Sequence, residues 1–233
     1  MNDYVEPIAS YFGEAFDSIP YVRQYFELLQ SDRLSGDRVT EVDLLDPVDS
    51  VDMTEEFDYH PLFESPEKLQ LLVLDDANTS NHHCLAADLP YPGCVIYLPH
   101  DDSERIVFRN LIEFYKAAET AIATELPITD FHRTAAPSSP DQTRLRDAIS
   151  AALHDGDGPA LHLLLQAYDL HDDSLVSRMM DAEDFCLRET IAERIASHPR
   201  ATLLHHAQRC ADDPHPNVWR PGVKALAAVK SIL

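Results

Sequence analysis

Residues 3–30 read as helix in two pieces. In IPYVRQYFELLQ, Ile19, Val22, Tyr25, Phe26 and Leu29 recur at three- and four-residue intervals, one apolar face of a helix. Residues 31–60 then turn polar and acidic, with Gly36 and Pro47, and predict a long loop with one short strand around Val42 to Leu45. Ser65-Pro66-Glu67 has the form of a helix start, a capping residue followed by proline at the first helical position. After residue 69 the period shortens. LQLLVLD (69–75), HCLAAD (83–88), CVIYLP (94–99) and RIVF (105–108) are short, rich in Val, Ile and Leu, and separated by turn-prone segments such as DANTSN and LPYPG. They predict strands joined by tight turns, most simply an antiparallel meander. A helix follows, with Asn110 as its cap, Glu113 closing a variant capping box, and Leu111, Phe114, Tyr115, Ala118 and Ile122 as the face toward the sheet.

Residues 125–140 carry Pro127, Pro137 and Pro140 with Ser138-Ser139 and read as a linker. Its end starts a helix, with Ser139 as cap, Pro140 at the first position and Gln142 closing the box. From there the pattern is helical to residue 233, with breaks at DGDGP, HDDS, SHPR and DDPHP. A shift of 32 residues pairs Asp181 with Asp213, Cys186 with Val218, Leu187 with Trp219, Arg188 with Arg220 and Ile191 with Val223. That period, an acidic turn before an apolar helix, resembles HEAT-like repeats and implies stacked helical pairs. Trp219, the only tryptophan, is expected to fill the seam between repeats rather than to anchor an interface. The reading is an α+β domain over residues 1–124 with a small antiparallel sheet and flanking helices, the linker 125–140, and an all-α domain of HEAT-like hairpins over 141–233.

Charge changes the picture more than composition does. The formal net charge is −23. Residues 1–126 hold 26 acidic and 7 basic side chains, whereas residues 127–233 hold 15 and 11. Asp37 to Glu67 alone carries eleven carboxylates against Arg38. Such a field repels nucleic acid and anionic lipid and attracts a basic protein. The plain alternative is that the acidic surface serves solubility. No apolar run approaches the roughly 20 residues of a membrane span, and the N-terminus lacks the basic start and apolar core of a signal peptide. Cys84, Cys94, Cys186 and Cys210 are scattered, with no CxxC pair, and read as reduced, mostly buried thiols. The expected compartment is the cytoplasm.

Candidate chemistry is sparse. His100-Asp101-Asp102 lies between two strand signals and suits a hairpin turn, because Asp side chains bond nearby backbone amides. A metal there would need His82, His83 and Cys84 from the strand upstream. His206 and Cys210, four apart on a helix, share a face, with His198, His205 and His215 nearby in sequence. Neither set shows the spaced ligand pairs usual at zinc sites. There is no GxSxG and no glycine-rich phosphate loop among the six glycines. Arg105 and Arg109 stand in the acidic half and are expected to pair with local carboxylates. No catalytic residue, metal ligand or cofactor is assigned.

GCVIYLPHDDSERIVFRNLIEFYKAA (93–118) resembles the C-terminal half of SUKH-superfamily domains. There a Gly begins a strand that ends near a His-Asp turn, a second strand follows, and a Phe-x-x-Leu-x-x-Phe segment opens the last helix. Here these read Gly93, CVIYL, His100-Asp101, RIVF, then Phe108, Leu111 and Phe114, within a match over residues 70–122. The resemblance implies an α+β fold without catalytic residues. Bacterial members are largely immunity proteins that bind and block a toxin, often a nuclease; others are regulatory interaction proteins. The expectation is therefore a non-catalytic, cytoplasmic immunity protein. Its surface around Asp43, Asp46, Asp49, Asp52, Glu55, Glu56 and Asp58 would cover the basic groove of a toxin, with no nucleic-acid or membrane partner. Two alternatives stand beside it: a scaffold or regulator binding through the helical repeats, and, more remotely, a metal-dependent enzyme using His82, His83, Cys84 and His100.

Overall fold

The apolar runs of the first half form a four-stranded antiparallel meander, in the order β1-β2-β3-β4, in a computed structural model of the protein. The strands are β1 (Leu71–Val73), β2 (His82–Ala86), β3 (Val95–Leu98) and β4 (Arg105–Phe108). The structure describes residues 4–57, 60–63 and 69–233, and the chain divides into two units, residues 1–136 and 137–233.

In the first unit every residue of β1, β2 and β3 is buried. That is why these runs read as continuous rather than alternating: both faces of the sheet are covered. On one face Leu72, Leu85, Val95, Tyr97 and Val107 join a core with α1 (Glu6–Phe12), α2 (Val22–Ser31) and α4 (Leu111–Thr124). The predicted face of α2 is buried throughout, as is Ile19 before it. In α4 Leu111, Phe114, Tyr115 and Ala118 are buried, while Ile122 is partly buried against the same core. Asn110 Oδ1 caps α4 by accepting from the amides of Ile112 (3.1 Å) and Glu113 (2.9 Å).

Residues 31–60 depart from the expectation of a loop. They contain a helix, α3 (Pro47–Glu56), and Val42 to Leu45 make isolated bridges, Ser35 with Asp43 and Leu44 with Asp75, rather than a strand. The start signal is local: Asp46 Oδ1 accepts from the Val48 and Asp49 amides, and Pro47 occupies the first turn. Acidic composition hid it, because α3 buries only a narrow strip: Pro47, Ser50 and Thr54, with Phe57 just beyond its end. That strip covers the outer edge of β1, where Thr54 Oγ1 accepts from the Val73 amide at 2.9 Å and Tyr11 Oη donates to Leu71 O at 2.9 Å. An edge strand thus loses its open hydrogen-bonding groups to side chains. The predicted start at Ser65 to Glu67 lies outside the described residues.

Residues 128–133, in the segment expected to be a linker, belong to the first unit and pack within it. Ile128 is buried and its amide donates to Thr40 O at 2.9 Å; the Arg133 amide donates to Val107 O of β4 at 3.1 Å.

The second unit is wholly helical among its described elements: α5 (Gln142–Asp155), α6 (Gly158–Ala167), α7 (Asp173–Met180), α8 (Phe185–Ser197), α9 (Leu204–Ala211) and α10 (Pro216–Lys230). The four sequence breaks fall at the junctions of successive helices, each overlapping a helix end. The cap of α5 is Asp141, whose Oδ1 accepts from the Arg144 amide at 2.9 Å, rather than Ser139. Ser139 is buried and accepts at its Oγ from the Asp141 amide, and Gln142 Nε2 reaches back to Ser139 O and across to Ala167 O at the end of α6. Helix α10 packs on α8 and α9 through Val218, Gly222, Ala225 and Val229. That orientation turns Trp219 outward, 47% exposed, with Val223 one turn on. The tryptophan does not fill a seam: four small or branched residues at three- and four-residue spacing claim the inner face first.

Candidate functional site

Helix α3 presents Asp49, Asp52, Glu55 and Glu56 to solvent as one acidic face. Like charges three and four residues apart repel, and Glu55 and Glu56 in the last turn oppose the helix dipole, both at a cost in helix stability, whereas Asp49 in the first turn favours the dipole. Among the described residues Arg33 is the cation paired with the face, 3.7 Å from Asp49, with both side chains about half exposed (48% and 49%). The other predicted residues are placed differently. Asp46 is half-buried and committed to the cap, and Asp43 is half-buried beside α3 in the bridged segment, its carbonyl accepting from the Asp76 amide. Asp58 lies outside the described residues.

The acidic turns of the second unit contrast with this. Asp181 takes Arg209 Nη2 at 2.6 Å, and the half-buried Asp213 takes Arg188 Nε at 2.8 Å.

His82, His83, Cys84 and His100 are not brought together. Side chains alternate along a strand. His82 points toward Phe57, with ring centroids 4.7 Å apart, and Cys84, which is buried, shares that side of the sheet. His83 faces the opposite core, against Tyr97, Phe108 and Phe114. His100 sits in the exposed β3–β4 turn, its amide held by Asn81 Oδ1 at 2.9 Å. Cys210 likewise turns from His206 to the Met180 sulfur, 3.8 Å away. Arg105 stacks over Tyr97, with its Cζ 5.7 Å from the ring centroid.

Two clusters join histidines noted in the sequence to partners that the sequence did not connect with them. The first is a chain, Asp75–His83–His132, with Asp75 and His83 buried and His132 half-buried. Asp75 Oδ1 accepts from the His83 amide at 2.7 Å, Asp75 Oδ2 lies 2.5 Å from His83 Nδ1, and His83 Nε2 lies 2.9 Å from His132 Nε2. With both rings neutral the chain runs one way: His132 Nε2–H donates to His83, and His83 Nδ1–H donates to the carboxylate. Burial, with smaller contributions from His83 and Arg105, pushes His132 down to about 3. Its Nδ1 is buried with no hydrogen-bond partner among the described residues.

The second cluster is Asp173, His205 and His206. Asp173 Oδ1 lies 3.0 Å from the Nε2 of each histidine, and the two rings sit 3.7 Å apart, centroid to centroid. A signal for it was present: the 32-residue shift that pairs Asp181 with Asp213 also pairs Asp173 with His205, and stacked repeats place equivalent positions side by side.

No family model, curated protein or solved structure matches the chain.

Proposed function

We propose that the protein is a non-catalytic binding module that engages a basic partner protein through the acidic face of α3. One observation carries this reading: Asp49, Asp52, Glu55 and Glu56 stand exposed on a helix anchored to the sheet edge, at a cost in helix stability, with Arg33 as the paired cation among the described residues. The anchoring that covers the sheet edge also fixes the backbone that carries the carboxylates, so the face gives up little backbone freedom on binding. The mechanism is electrostatic and steric: the field steers a basic surface in, and the carboxylates occupy the places phosphates would take. The resemblance of residues 70–122 to SUKH domains makes the concrete version an immunity protein acting in the cytoplasm on a basic toxin.

The test is affinity capture from the protein's own cells at low and high salt. Wild type is compared with a variant carrying Asp49→Asn, Asp52→Asn, Glu55→Gln and Glu56→Gln. The expected result is a basic protein held by wild type at low salt, released at high salt, and not held by the variant. Identical retained proteins for both forms would refute the assignment to α3.

A further inference from the structure

We propose that Asp173, His205 and His206 bind a divalent transition-metal ion of the zinc class, through one carboxylate oxygen and two imidazole Nε2 atoms, with the remaining coordination position open to water. The three donor atoms lie within 4.8 Å of one another, the one such grouping of His, Cys and carboxylate side chains among the described residues. Two atoms each about 2.0–2.2 Å from one ion stand roughly 2.9–3.5 Å apart at right-angle to tetrahedral spacing. The carboxylate oxygen is 3.0 Å from each Nε2, inside that range. Two imidazoles and one carboxylate suit zinc, nickel, copper or iron(II); calcium and magnesium require more oxygen donors than the site offers.

Position favours a bound ion as well. His206 is fully buried in the first turn of α9 and fixes one donor, while Asp173, in the first turn of α7, and His205 are exposed (72% and 53%) and leave the ion reachable from solvent. The neighbouring cation, Arg209, is engaged by Asp181 at 2.6 Å, which offsets its charge. The ion would tie the start of α7 to the start of α9, two segments about thirty residues apart in sequence.

The experiment uses the full chain without a histidine tag, stripped with a chelator. Zn²⁺, Co²⁺, Ca²⁺ and Mg²⁺ are titrated separately by calorimetry, and the melting temperature is followed with each. The expected result is one equivalent of Zn²⁺ or Co²⁺ bound, with a rise in melting temperature, and no response to Ca²⁺ or Mg²⁺. His205→Ala and Asp173→Asn, both at exposed positions, each remove a direct ligand and should weaken Zn²⁺ binding by more than the roughly ten- to hundredfold that loss of an outer-shell partner costs. They should also abolish the thermal shift while circular dichroism stays that of wild type. His100→Ala, on an exposed turn of the first unit, should leave binding unchanged. Absence of stoichiometric Zn²⁺ binding, or binding that survives both His205→Ala and Asp173→Asn, would overturn the assignment.

Discussion

His132 shows what a single half-buried side chain commits the fold to. Enclosed by His83, Tyr97 and Phe108, it is held near 3 in the folded state against an ordinary value of 6.5. Its folded value is depressed, so between those limits the unfolded chain takes up a proton that the folded chain refuses. The contribution is whole above about 6.5 and is lost progressively as pH falls toward 3. Urea unfolding at about pH 7 and again at about pH 4.5 should therefore show a larger loss of stability for wild type than for His132→Gln, which keeps a polar group and removes the titration. An equal loss in both would mean that His132 charges freely in the folded protein. None of this was legible in the sequence. His83 sits in a strand where alternation hides its partner, and His132 sits in a proline-flanked segment with no period, 49 residues away. Thr54 is a second such residue. Its hydroxyl accepts from the Val73 amide and donates to Ser50 O at 2.6 Å. Thr54→Val strands a buried amide and should cost about 1–3 kcal/mol in chemical denaturation, with little change in fold by circular dichroism.

At the scale of elements, legibility followed the strength of the periodic signal. The meander, the apolar face of α2 and the Asn110 cap of α4 were readable because burial dictates spacing over several turns or strands. Helix α3 was not, because a helix that buries one strip and exposes carboxylates elsewhere carries little hydrophobic period; only Asp46-Pro47 marked its start. In α10 the apolar spacing predicts a helix, yet the inner face is not the one that carries Trp219. Gly222 explains the choice. A Cβ there would stand 2.3 Å from the Cys210 carbonyl carbon and 2.6 Å from the Ala211 amide nitrogen, so α9 and α10 approach at backbone distance and the bulky indole faces away. Gly222→Ala must force these helices apart. It should destabilise the second unit by at least about 1–3 kcal/mol in thermal or urea unfolding, despite the better helix propensity of alanine. A neutral or stabilising outcome would contradict the packing of α10.

For the whole molecule the governing quantity is the uneven charge. The net of −23 is concentrated before residue 127, and the two units manage their carboxylates differently. In the second unit Asp181 and Asp213 are paired with arginines, while the outer face of α3 holds exposed carboxylates on an anchored helix. The sequence carried this asymmetry in its composition. Which of the predicted acidic residues share one face depended on a helix that composition concealed. Once the captured partner is in hand, its association rate with wild type and with the Asp49, Asp52, Glu55 and Glu56 variant, measured across a salt series, is the decisive quantity. Electrostatic steering through α3 predicts association slower by about tenfold or more for the variant at low salt, with the two forms converging as salt screens the field. Equal rates and equal salt dependence would contradict it and place the binding surface elsewhere on the chain.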